Sequence, residues 1–341
     1  VRLLHGDALD VLATLPAACV DAVVTDPPYE LGFMGKHWDA SGIAYRVELW
    51  RQVLRVLRPG GHLLAFGGTR TSHRMVCAIE DAGFEVRDSL VWMYGSGFPK
   101  SLNVGNGWGT ALKPAHEPIC LARKPLEGTV ASNVQAHGTG VLNVDGCRIG
   151  MTDGDRAALH AKASKNPHDS YSDHVFGLGM RTQHAKPPHA SGRWPANVLL
   201  DAGAAALLDA QSGVLKSGAR NGKRKAHDEF GTFCERERDS GNEWGTSAGG
   251  ASRFFYCAKA SRKERGAGNT HPTVKPLALM RWLVRLVTPP GGLVLDPFAG
   301  SGTTGLACKA EGFRFLGIER EAQYVEIAEK RMQLSLFGAA A

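Results

Sequence analysis

The chain has 341 residues, 43% hydrophobic and 21% charged, enough for one large domain plus a smaller inserted or appended one. It has no uninterrupted apolar run of the roughly 20 residues a membrane helix needs. Its net charge of +7 and pI near 9.1 suit a polyanionic partner, although charge alone selects no function.

The sequence begins at Val1 without an initiator Met or a signal-peptide pattern, so a few preceding residues are expected. Seven cysteines (Cys19, Cys77, Cys120, Cys147, Cys234, Cys257 and Cys308) are scattered with no CxxC pair. That pattern fits reduced thiols, and a cytoplasmic location, better than a disulfide framework or a structural zinc site.

Residues 1–124 alternate strand and helix. "RLLHG" and "VDAVVTD" read as strands, and "YRVELWRQVLRVL" as a helix ended by Pro59-Gly60-Gly61. "HLLAFGG", "FEVRDSLVWM" and "EPICLARK" are further strands, with "SHRMVCAIEDAG" a helix between the first two. Residues 125–250 change character, being rich in Gly, His, Asn, Ser and charge; they read as loops and a small subdomain. Within them "RWPANVLL" predicts a strand, "AAALLDAQ" a short helix, and "KSGARNGKRK" (216–225) carries five basic residues and no acid. Residues 251–341 return to α/β. There "SRFFYCAK", "GLVLDPFAG" and "FRFLGIE" read as strands, and "PLALMRWLVRLV", "TTGLACKAEG" and "AQYVEIAEKRMQLSL" as helices. Apolar strands with helical crossovers imply a mostly parallel sheet covered on both faces.

A glycine-rich turn, Asp296-Pro297-Phe298-Ala299-Gly300-Ser301-Gly302-Thr303-Thr304-Gly305, follows an apolar strand and opens a helix. Its glycines permit a tight turn and close approach of a ligand. Glu319, at the end of the next strand, is placed to accept hydrogen bonds from ribose hydroxyls. "GSGTTG" also satisfies GxGxxG, so a nicotinamide or flavin and a purely structural turn stay open. Asp296 argues against a pyrophosphate, which it would repel; an adenosine carrying an amino acid and a sulfonium fits both acids.

"TDPPYE" (25–30) leaves a predicted buried strand with an acid, two prolines and an aromatic ring. An exocyclic amine on a nucleic-acid base is a poor nucleophile, because its lone pair is delocalised into the ring. The Asp26 carboxylate and the Pro27 carbonyl can each accept one of its hydrogens, with Pro27 and Pro28 stiffening the backbone that carries them. Tyr29 offers a face for stacking. A Pro-rich turn with Tyr29 packed on the core is the competing reading.

Together, "DPPY" and "DPFAGSGTT" resemble the catalytic and cofactor motifs of the amino-group (N6-adenine/N4-cytosine) DNA methyltransferases. Their order resembles the permuted beta-type class. "HPTVKP" (271–276), "GDALDVL" (6–12), "FLGIEREAQYVEIAEKR" and "WMYGSGFPKS" (92–101) resemble further family segments. The resemblance covers residues 1–124 and 250–335. It implies a doubly wound, mostly parallel seven-stranded sheet of the S-adenosylmethionine-dependent type, circularly permuted. It also implies S-adenosyl-L-methionine as cofactor, double-stranded DNA as partner, and residues 125–250 as an inserted target-recognition region between the two parts of the catalytic domain. The implied site is Asp26, Pro27, Pro28 and Tyr29 at the target amine, with Asp7, Lys275, Asp296, Phe298, Ala299, Gly300, Gly302, Thr303 and Glu319 at the cofactor. Phe98 either stacks near the base or serves the core, and Lys100 follows it on the same segment. Lys216, Arg220, Lys223, Arg224 and Lys225 are candidate phosphate contacts, or else a solvated loop. No His/Cys cluster suggests a metal, and methyl transfer from a sulfonium requires none.

The expected reaction is direct, in-line methyl transfer to N6 of adenine in a flipped-out base. In the family, Asp at the first DPPY position leans to adenine and Ser to cytosine. N4 of cytosine on the same mechanism, a non-catalytic nucleic-acid-binding protein, and an NAD(P) oxidoreductase are the alternatives. A homodimer and a cognate restriction endonuclease remain open as partners. The strand before Asp26 should lie beside the strand before Asp296, and residues 2–5 beside 313–318.

Overall fold

Alternate residues of two central strands divide between two hydrophobic cores. Ala22, Val24, Leu64 and Phe66 belong to one, and Val23, Leu63 and Ala65 to the other; all seven are fully buried. This is the period-two signature of strands covered on both faces.

The computed structural model describes residues 1–31, 41–97, 101–164, 189–217, 224–227, 233–236, 247–258, 269, 271 and 274–334. In chain order the elements begin with β1 (Arg2–His5), α1 (Ala8–Thr14), β2 (Val20–Thr25), α2 (Val47–Val56), β3 (Leu57–Phe66), α3 (Ser72–Asp81) and β4 (Glu85–Met93). Next come β5 (Asn103–Gly105), β6 (Trp108–Gly109), β7 (His116–Arg123), α4 (Val130–His137), α5 (Asp153–Ser164), β8 (Val198–Asp201) and α6 (Ala202–Ser212). The short strands β9 (Leu215–Ser217), β10 (Arg224–His227), β11 (Phe233–Arg236), β12 (Ser247–Gly249) and β13 (Tyr256–Ala258) follow. The chain then runs through α7 (Leu277–Val287), β14 (Leu293–Asp296), α8 (Thr303–Glu311), β15 (Arg314–Glu319) and α9 (Ala322–Leu334).

Contacts divide the chain into two compact units. The first comprises residues 1–147, 195–205 and 255–341, and among its described residues nine strands form one sheet in the order β1-β15-β14-β2-β3-β7-β4-β8-β13. The pairs are parallel except β3·β7 and β7·β4. β14 lies directly beside β2, pairing Val294 with Ala22, and β1 beside β15, as expected from the motif order. This non-sequential order is consistent with a permuted methyltransferase sheet. Seven strands were expected; β8 and β13 extend the sheet to nine.

Helices cover both faces. Leu279, Met280, Leu283, Val284 and Val287 of α7 join one core with Ala307 and Cys308 of α8. Leu49, Trp50, Val53 and Val56 of α2 join the other with Met75 and Ile79 of α3. Arg281 and Arg285 on α7 reach Glu311 on α8 at 2.6 and 2.7 Å. No helix among the described residues is long and apolar enough to cross a membrane.

Two local readings are corrected. Pro59-Gly60-Gly61 does not end a helix in open turn; it lies inside β3, where Val20 pairs with Leu57 but Ala22 with His62, so the extra residues bulge. Gly60 adopts φ +74°, and a Cβ on Gly61 would meet Leu57 at 2.7 Å, so the bulge needs both glycines. "SRFFYCAK" contains a 3-10 turn at Ala251–Phe254 before the short strand β13. By contact, residues 125–147 and 195–205 cluster with the first unit, and within the latter β8 pairs β4 in its sheet.

The second unit, residues 148–194 and 206–254, contains α5 and two small antiparallel pairs, β9 with β12 and β10 with β11. Its buried carboxylate, Asp155, lies 2.9 Å from the Arg193 guanidinium and 3.7 Å from that of Arg253. Both arginines also sit over the Phe254 ring, at 5.0 and 4.5 Å.

Candidate active site

Parallel strands β2, β3, β14 and β15 bring their carboxyl ends to one edge of the sheet, the place where open α/β sheets build their sites. A cavity of about 690 Å³ opens there. Its wall includes Asp7, Asp26 to Tyr29, Lys275, Asp296 to Gly300, Thr303 and Glu319, so the two motifs meet in one space.

Asp296 is fully enclosed by the turn it begins. Its Oδ1 accepts from the Thr25 hydroxyl at 2.7 Å and from the Phe298 N–H at 3.1 Å, and its Oδ2 accepts from the Thr304 hydroxyl at 2.6 Å. Burial raises its carboxyl to about 6, against the lowering effect of these donors. Asp296 therefore shapes the cofactor turn from beneath. Glu319 does similar work from the neighbouring strand: Oε2 accepts from the Gly300 N–H and Oε1 from the Glu321 N–H, both at 2.8 Å. Burial also raises the Glu319 carboxyl.

Gly300 has φ +50°, and a Cβ there would lie 2.9 Å from His271 Nε2. The His271 ring is held edge-on to Tyr324 at 4.5 Å. The space over Gly300 is taken by the His271 ring, and Gly300, His271 and Glu319 together line the cavity that an adenosyl cofactor would enter. Gly302 serves packing instead: its missing Cβ makes room for Ala328 of α9. Thr303 opens α8 and accepts from Arg331 at 3.2 Å, while Phe298 packs on the second core. Asp7 caps α1 by accepting from the Leu9 N–H at 2.9 Å, and lines the same cavity.

At the DPPY end, Lys275 is nearly buried, with its ammonium 2.8 Å from Asp26 Oδ2 and 3.0 Å from Glu117 Oε2. It also donates to the Tyr29 hydroxyl at 3.0 Å, and that hydroxyl donates to Glu117 Oε2 at 2.9 Å. Burial acts to lower the Lys275 pKa, but the two carboxylates outweigh it and hold the ammonium above its ordinary value. Burial together with Asp26 and Glu117 pushes the Tyr29 phenol well up, so it stays a neutral donor. The resemblance placed Lys275 with the cofactor; the structure sets its charge between Asp26 and Glu117. The Tyr29 ring lines the cavity while its hydroxyl is anchored in this cluster.

Asp26 Oδ1 is buried and has no hydrogen-bond partner among the described residues. Such an oxygen calls for a donor. Beyond it, Glu30 at φ +56° turns the chain and accepts from the Gly42 N–H at 2.7 Å.

Glu117 was missed at the sequence level, where it was simply the first acid of a strand. The available signal was "HEPICLAR", an acid and a proline opening an apolar run. Because β7 is antiparallel, its first residues and not its last reach the catalytic edge. Of the candidate DNA contacts, Lys216 falls in β9, and Arg224 and Lys225 in β10. Phe98, Lys100, Arg220 and Lys223 lie outside the described residues.

Residues 20–330 match the family model for N6 and N4 methyltransferases, described as DNA methylase. The chain is 42% identical to the type II methyltransferase M.HinfI of Haemophilus influenzae, over 97% of this chain and 68% of that protein. It is 24% identical to the DNA adenine methyltransferase YhdJ of Escherichia coli, over 98% and 83%. The solved structure of PvuII DNA methyltransferase (cytosine-N4-specific) shares the fold, with TM-score 0.52 and 16% identity over 96% of this chain and 85% of that one. The chain belongs to the DNA methylase family, the S-adenosyl-L-methionine-dependent enzymes that methylate an exocyclic amine of adenine or cytosine in DNA.

Proposed function

We propose that the chain methylates N6 of adenine in duplex DNA, drawing the base out of the helix into the cavity. The observation that carries this reading is that Asp26, a residue of the cavity wall, has a buried Oδ1 with no partner among the described residues, beside an Oδ2 already held by Lys275. A carboxylate fixed at one oxygen presents the other in a set direction, which is what an amine donor requires.

S-adenosyl-L-methionine, when bound, supplies an electrophilic sulfonium methyl. The protein's part is to prepare the nucleophile. Asp26 Oδ1 accepts one N–H of the amine and the Pro27 carbonyl the other, drawing the nitrogen toward a tetrahedral shape with its lone pair free of the ring. As the N–C bond forms, the methyl's bond to sulfur would break and its electron pair leave with the neutral thioether, while the nitrogen becomes cationic and sheds a proton, for which Asp26 Oδ1 is the placed acceptor. Lys275, held as an ammonium, cannot serve as base; it keeps Asp26 oriented. Gly300, Glu319, Phe298 and Asp7 would hold the cofactor at the other end of the cavity. A base inside a duplex cannot reach this wall, so extrusion is part of the proposal.

Adenine is favoured over cytosine by Asp26 at the first DPPY position, and the Escherichia coli relative is by name an adenine enzyme. The test is transfer of labelled methyl to unmethylated duplex DNA, followed by hydrolysis and mass identification of the nucleoside. N6-methyladenine is expected. N4-methylcytosine would overturn the base assignment while leaving the mechanism.

A further inference from the structure

Between β4 and β7 the chain makes an excursion in which Leu102, Val104, Trp108 and Leu112 are exposed. β4 runs in the same direction as β2 and β3, since β7 is antiparallel to both β3 and β4. The end of β4 and the start of β7 therefore stand at the catalytic edge, where Met93 pairs with His116. From this point a hairpin projects, with β5 and β6 as its arms and Gly105-Asn106-Gly107 as its tip.

The hairpin is a built element. The ladder continues past the sheet through Tyr94 N–H to Ala115 O at 3.0 Å, and Lys113 Nζ donates to Gly95 O at 2.7 Å. Ser101 Oγ then accepts from Thr110 and Ala111 N–H groups at 2.9 and 3.2 Å, closing the arms. All three tip residues have positive φ, between 52° and 92°.

Its surface is unusual for a soluble fold: Trp108 is 74% exposed and Leu112 92%, with Leu102 and Val104 exposed beside them. None of these side chains belongs to either core. Residues 101–113 contain no acid, and Asn, Ser and Thr supply the rest of the surface with hydrogen-bonding groups. The same segment continues into Pro114, His116 and Glu117, which line the catalytic cavity.

We propose that the hairpin of residues 101–113 is a DNA-contacting wedge, with Trp108 stacking beside the extruded nucleotide. This rests on the base-extrusion reading above. An indole next to the gap compensates lost base stacking, and the segment that carries Trp108 leads into Pro114, His116 and Glu117 of the cavity wall. Duplex DNA is the fitting occupant because the segment bearing the apolar patch runs directly into residues of the cavity that must receive the base, and because residues 101–113 carry no negative charge and one lysine, Lys113.

The experiment compares the full chain with Trp108→Ala and Trp108→Phe. Binding to duplex DNA is measured directly, and methyl transfer on target sites that are paired or mismatched at the target base. Trp108→Ala is expected to weaken binding and transfer on the paired site about 10- to 100-fold, with Phe recovering most of the loss. On the mismatched site the transfer deficit should shrink to within about threefold, because less stacking must be broken. Cofactor binding and thermal melting should be unchanged. Equal binding by wild type and Trp108→Ala, or a deficit equally large on both sites, would overturn the wedge. A fall in molecular mass of Trp108→Ala in sedimentation without DNA would instead assign the patch to a second copy, and also overturn it. Failure of the parent reading would show separately, as wild-type protein that transfers no methyl to any DNA.

Discussion

Thr25 and Asp296, 271 residues apart in sequence, share a buried hydrogen bond of 2.7 Å. It joins the last residue of the strand leading into DPPY to the last residue of the strand leading into the cofactor turn. Replacing Thr25 with Val keeps the shape and removes the donor, leaving Asp296 Oδ1 with the Phe298 N–H alone. A loss of about 2 kcal/mol in urea-unfolding free energy is expected, along with weaker cofactor binding. Unchanged stability would show that the two strands are held by packing alone.

The same carboxyl gives a pH signature. Burial raises Asp296 to about 6 from an ordinary 3.8, so the folded state holds its proton more tightly than the unfolded chain does. Its stabilisation is complete below about pH 4 and is lost as pH rises through about 6, amounting to about 3 kcal/mol. Asp296→Asn cannot ionise. The stability difference between wild type and Asp296→Asn should therefore shift against wild type from pH 4 to about 6.5, and stay flat above. A difference constant across that range would contradict it.

Lys275 balances two carboxylates and a phenol at once. Lys275→Met leaves Asp26 and Glu117 facing each other without their shared cation, at an expected cost of about 3–5 kcal/mol in stability. Combining it with Glu117→Gln should restore part of that loss, since one stranded charge is removed. Melting temperatures of the single and double variants decide the point: a double variant less stable than Lys275→Met would exclude this coupling.

Gly300→Ala places a Cβ 2.9 Å from His271 Nε2 at φ +50°. The His271 ring must move off the turn that lines the cavity, and calorimetry should show S-adenosyl-L-methionine binding weakened about tenfold or more, equivalent to about 1.4 kcal/mol. The fold should persist, because Gly300 stands at the cavity wall.

Much of this architecture could be read from sequence because it rests on local signals. Fully apolar strands such as "VDAVV", and glycine turns that open helices, specify parallel sheet and crossovers within a few residues. The meeting of Asp26 with Asp296 was also legible, since two strand-end acids in permuted order imply adjacent strands. What escaped was non-local. Glu117 joins the site because β7 runs antiparallel, a direction that no residue of "EPICLARK" encodes. Lys275 reads as a cofactor contact in its own segment, and only the fold reveals its two carboxylate partners. β8 looked like part of the middle region because the sequence around it is polar, whereas its few apolar residues complete the sheet beyond β4.

Asp26 Oδ1 is proposed above as the acceptor of a hydrogen from the target amine. That role is tested most directly by single-turnover methyl transfer with Asp26→Asn. Lys275 donates to whichever oxygen faces it, so an amide would keep its carbonyl toward Lys275 and turn its NH2 toward the incoming amine, setting donor against donor. Transfer should fall at least about 100-fold while cofactor affinity stays within about threefold. Transfer at the wild-type rate, or a loss explained by failure to bind the cofactor, would contradict the role assigned to Asp26.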